Sequence, residues 1–84
     1  MISQCYNEAL AVRLDEGEEA VSSLVSTLQR HNITAGVIPT FIGALRDCRL
    51  ILRKGHEEKV ESHVEVVGNG NVSLYEGKPF VHLH

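Results

Sequence analysis

Apolar and polar positions repeat along this chain with two different periods. From Val21 to Leu28 the period is helical: Val21, Leu24, Val25 and Leu28 fall at i, i+3, i+4 and i+7 and form one stripe. The spacing predicts a helix from about Gly17 to His31. Asp15 followed by Glu18 has capping-box spacing, and Asp15, Glu16, Glu18 and Glu19 bring negative charge to the helix start. Arg30 and His31 suit the last turn, with Asn32 as the stop.

Elsewhere the period is two, or the stretch is apolar throughout. Leu10, Val12 and Leu14 alternate with Ala9, Ala11 and Arg13, predicting a strand over Glu8 to Leu14. Ile33 to Phe41 is β-branched and apolar and reads as a largely buried strand, with Pro39 marking an edge or a bulge. Gly43 permits a sharp change of direction before a long strand from Ala44 to Arg53, and Lys54 to Lys59 reads as a polar connection. Val60, Ser62, Val64 and Val66 share one face of the next strand, opposite Glu61, His63, Glu65 and Val67. Gly68 to Asn71 carries turn or bulge chemistry, and Val72 to His84 reads as a hairpin with Glu76, Gly77 and Lys78 as its loop. The expected fold is α+β: a mainly antiparallel β-sheet with one principal helix packed on a face, forming a single domain over residues 1–84.

Composition narrows the function classes. A chain of 84 residues supports one small core, and domains of this size often add a metal, disulfides or other subunits. Cys5 and Cys48 each sit in an apolar-rich stretch far from the other, as two buried reduced thiols would. Nothing around "MISQCYNEAL" resembles a signal peptide, and no apolar run approaches the ~20 residues of a membrane span, so a cytoplasmic location without membrane contact is expected. The net charge of −3 and four aromatic residues argue against an autonomous nucleic-acid binder. The one basic cluster, Arg46, Arg49, Arg53 and Lys54, reads as the solvated face of a strand and its exit.

Chemistry concentrates at the end, "PFVHLH". In an extended strand His82 and His84 share a face, with Cβ atoms roughly 6.5–7 Å apart, while Val81 and Leu83 face the core. Two imidazoles at that separation can meet on one Zn²⁺, but zinc takes four ligands, or three and a water. His63, His56 or a symmetry-related chain are candidate sources of a third. The alternative is a pair of hydrogen-bonded strand histidines.

The stretches "RLDEGEEAVSSLVSTLQRHNI", "IGALRDCRLIL" and above all "VEVVGNGNVSLYEGKPFVHLH" resemble the plant and prokaryote conserved (PPC) domain over nearly the whole chain. The resemblance implies a self-associating domain, typically a trimer, commonly described as DNA-binding. It also implies a metal held in some members by the histidines matching His82 and His84, with zinc as the candidate cofactor. The family continues into further strands and a Gly-Gly-His segment that supplies another ligand, so this chain is expected to lack both. Phe41-Ile42-Gly43 stands where members often have Gly-x-Gly, and no Arg-Gly-Arg-Pro core is present, so DNA binding of the AT-hook kind does not carry over.

Three functions are open at this point. The first is a non-enzymatic, self-associating domain with a DNA-linked or regulatory role. The second is a fragment without activity. The third is a metal-dependent enzyme on His82 and His84, with Glu65 as its carboxylate; no catalytic residues are assigned outright.

Overall fold

A computed structural model of the chain describes residues 1–6 and 9–84. In chain order it contains β1 (Ile2–Tyr6), β2 (Ala9–Arg13), α1 (Ala20–Arg30), β3 (Gly36–Arg53), β4 (His56–Tyr75) and β5 (Lys78–Leu83). β1 and β2 form a two-stranded antiparallel sheet, and β3-β4-β5 form a three-stranded antiparallel sheet in that order. The α+β class is as expected, with one helix against mainly antiparallel sheet. β1 has no counterpart among the predicted elements, and Glu8, the predicted start of the second strand, lies outside the described residues.

The helix is shorter than its periodicity suggests because the acidic run divides its labour. Glu19 is the N-cap: its carboxylate accepts hydrogen bonds from the Ser22 backbone N–H and hydroxyl, both 2.6 Å, which hold its pKa below the usual carboxylate value. Asp15 and Glu18 instead close a turn, with the Glu18 N–H donating to the Asp15 carbonyl at 3.2 Å. Both carboxylates also accept from the Met1 ammonium, Glu18 at 2.6 Å. Hydrogen bonding and charge from that ammonium lower the Asp15 pKa, and the same contacts raise that of the amine. The predicted capping box is thus replaced by a cap four residues later.

The other end matches expectation. Asn32 adopts φ 56°, its N–H donates to the Gln29 carbonyl at 3.1 Å, and the Ile33 N–H donates to Leu28 at 2.9 Å. These are the two bonds of a Schellman motif, with Ile33 packed against the core beyond it. Asn32→Val should lower stability by about 1–2 kcal/mol, the cost of a left-handed backbone for a residue with a bulky Cβ. Urea denaturation would show this as a lower midpoint with an unchanged slope.

The remaining differences are in the sheet. Ile33–Phe41 and Ala44–Arg53 are not two strands with a break at Gly43: β3 runs through it, with register shifts between Ile38 and Phe41 and between Arg46 and Cys48. The first shift contains Pro39, on an edge strand where its missing N–H is tolerated. The second contains Asp47 at φ 57°. The polar connection contracts to a turn at Lys54-Gly55, with Arg53 opposite His56. Glu76-Gly77 alone forms the last hairpin turn, both at positive φ, so Lys78 belongs to β5.

Gly68–Asn71, read as a turn or a bulge, is continuous strand within β4. A Cβ on Gly70 would meet the His82 carbonyl oxygen, and one on Gly68 would meet the His84 carbonyl oxygen and the Phe41 ring. These glycines are strand positions that let β5 and Phe41 close in on β4.

Eighteen extended residues would span about 59 Å, yet the longest dimension of the molecule is 36 Å. The long hairpin therefore coils and bends at its bulges. α1 lies against the face that carries Val72 and Val81. Those two and Leu28 are the buried hydrophobic core, with Leu10, Leu24, Val25, Ile33, Ile38 and Leu83 packed around it. Thr27 is fully buried, its hydroxyl donating to the Ser23 carbonyl at 2.8 Å. Cys48 is a free, half-buried thiol, and the Cys5 side chain lies outside the described residues.

Candidate functional site

The β5 register decides where the terminal residues go. Val72 pairs with Val81 and Gly70 with Leu83 on the helix-facing side, so His82, opposite Asn71, points to the outer face. The ladder runs on through His84, whose N–H donates to the Asn69 carbonyl at 2.6 Å while its own carbonyl accepts from the Asn69 N–H at 3.1 Å. Alternation places His84 beside His82, and their ring centroids are 4.3 Å apart with planes inclined at 40°. Both imidazoles are exposed, and together they suit two of the positions of a tetrahedral zinc. Among the described residues no third His, Cys, Asp or Glu joins them as a metal-binding group.

The register also explains why the other candidates stay away. His63 lies opposite Arg46 and Glu65 opposite Ala44, whereas His82 is level with Asn71. Along β4 that separates His82 from Glu65 by six positions and from His63 by eight. Glu65 and His63 do share the outer face, as alternation predicts. Glu65 lies in an open depression of about 470 Å³ with Ile42 and Val67, away from the histidine pair. His56 sits beside the turn at the far end of the hairpin, opposite Arg53.

The outer face also carries large exposed hydrophobic residues. Ile42 and Val67 are a directly opposed pair, 84% and 73% exposed, and Val37 is exposed on the same side. Tyr75 and Phe80 lie there too, their rings 6.0 Å apart. Val81 and Leu83 face the core as expected, covered by the packing around α1. The large exposed hydrophobic residues Ile42 and Val67 are on the opposite face of the sheet.

One juxtaposition had no sequence signal. The bent hairpin brings residues 49–52 of β3 across from residues 82–84, and a cleft of about 510 Å³ opens between them. Asp47 in the left-handed region is the local mark of that bend, but a lone Asp in a strand-like stretch does not announce a bulge. Arg46, Arg49, Arg53 and Lys54 are exposed, as read from the sequence, and Arg46 and Arg49 lie opposite His63 and Lys59. No helix among the described residues is long and apolar enough to cross a membrane.

Compared with known families, residues 3–84 match the model of the Plants and Prokaryotes Conserved (PCC) domain. No curated protein and no solved structure matches the chain significantly.

Proposed function

This chain belongs to the Plants and Prokaryotes Conserved (PCC) domain family, and from that premise we propose that it is a non-enzymatic, self-associating module with a DNA-linked or regulatory role. The observation that carries the reading is the Ile42–Val67 pair, 84% and 73% exposed on a sheet whose opposite face, among the described residues, has two buried hydrophobic residues, Val72 and Val81. A monomer would leave this apolar face in water, and exposed apolar patches of this kind mark association surfaces. A second copy would bury it, enlarging the core that a chain of 84 residues cannot build alone.

Zinc fits this reading as a shared ion. His82 and His84 offer two imidazoles on the face proposed to be buried on assembly, so a neighbouring copy is the natural source of further ligands. Any direct contact with DNA phosphates would fall to Arg46, Arg49, Arg53 and Lys54, and its affinity would drop steeply with salt. With a net charge of −3, a role exerted through assembly partners is favoured over direct binding.

Native mass spectrometry of untagged protein tests subunit number and bound metal together. The expected spectrum is a trimer carrying zinc, with the metal lost in His82→Ala and His84→Ala. A metal-free monomer would remove both the association and the zinc.

A further inference from the structure

The cleft between the hairpin tip and the end of β5 lies apart from the Ile42–Val67 pair, though it shares His82 and His84 with the zinc site proposed above. Its two walls come from the two open edges of the sheet, since β3 and β5 are both edge strands and the bend turns them toward each other. Leu50, Ile51 and Leu52 contribute apolar surface from one wall, 45%, 74% and 57% exposed, and Leu83 contributes it from the other. At about 510 Å³ the space is within the ~300–1,000 Å³ typical of small-molecule sites.

The polar groups are few and of one kind. Arg49 lines the cleft, and His82 and His84 stand on the facing wall. Among the described residues Arg13 and Lys59 each have a carboxylate within ion-pair distance, but Arg49 has none. Its direct cross-strand neighbour is Lys59, a like charge that destabilises the pair unless an anion intervenes. Glu58 and Glu57, opposite Leu50 and Ile51 on β4, do not line the cleft. An unpaired guanidinium is a fork of donors matched to a carboxylate, and the imidazoles can add donors or acceptors.

We propose that this cleft binds a small amphipathic carboxylate, with its anionic head on Arg49 and its apolar body against Ile51, which shares a strand face with Arg49, and Leu83 on the facing wall. The site is formed within one chain and needs no zinc. Arg49 supplies charge and orientation, and Ile51 and Leu83 supply the contact area.

Octanoate and octanamide are suitable probes, because they share an apolar chain and differ in charge. Each would be titrated, with EDTA present, into ¹⁵N-labelled full-length protein. Octanoate should shift the amides of residues 49–52 and 82–84 saturably, and octanamide should bind there at least tenfold more weakly. Arg49→Gln should reduce octanoate to the level of octanamide, while Arg53→Gln, outside the cleft, should leave it unchanged. Absence of saturable shifts at these residues would overturn the site. So would equal binding of the two probes, indifference to Arg49→Gln, or shifts centred on Ile42 and Val67, which would mean adsorption to the apolar face.

Discussion

Gly70→Val should detach β5 and strongly destabilise the protein, whereas Gly43→Val should fold normally. Both glycines lie within long strands, and neither has a left-handed backbone that would demand glycine. They differ in what stands beside them. A Cβ on Gly70 would overlap the carbonyl oxygen of His82 and press on the Leu83 side chain at 3.1 Å, while nothing lies within 4 Å of one on Gly43. A side chain can rotate out of the way, but the His82 carbonyl is main chain and can move only with its strand. Overpacking costs of about 1–3 kcal/mol assume that the neighbour yields, so a rigid one puts Gly70→Val at or beyond the upper end. Losing β5 also removes Val81, one of three buried hydrophobic residues among those described, and the His82–His84 pair. Amide hydrogen exchange is the sharpest readout: protection at Asn69, Asn71 and His84 should vanish first. Wild-type protection in Gly70→Val would show that β4 and β5 are not as close as described.

Leu28→Ala has the second-largest expected effect, a loss of about 2–5 kcal/mol. At ~0.05–0.15 kcal/mol per residue, a domain of this length has roughly 4–13 kcal/mol in total, so one methyl cluster represents a large share. Leu28 is the helix residue that closes on Val72 and Val81, so truncating it leaves a cavity at the centre of the core. The informative comparison is Ile42→Ala. In a monomer, truncating a side chain that is 84% exposed should change stability by less than about 0.5 kcal/mol. In the proposed assembly it should cost more, and the melting temperature of the wild type should rise with protein concentration. Thermal unfolding at two concentrations would separate the cases. A concentration-independent melt with a neutral Ile42→Ala would count against association through this face.

Local chemistry was enough for the helix and for the faces of the strands. The stripe ending at Leu28, the Asn32 stop, and the alternation that puts His82 and His84 on one side and Val81 and Leu83 on the other all concern residues that are neighbours in sequence. Such relations follow from the periods of 3.6 and 2 whatever the rest of the chain does. The PCC resemblance was legible for a similar reason, because its motif is contiguous.

What the sequence could not decide was set by contacts between distant segments. The run Gly68–Asn71 has every local mark of a turn, but the backbone of β5 lies against it, so its glycines are gaps for a neighbouring strand. The acidic run before the helix suggested a cap at Asp15, but Asp15 and Glu18 bind the Met1 ammonium and the cap is Glu19. The bend at Asp47 joins residues 49–52 to residues 82–84, more than thirty positions later, and so creates the cleft. By itself the sequence determined which residues face the same way. Only the tertiary structure decided which of those faces meet, because each meeting depends on where another strand's backbone comes to rest.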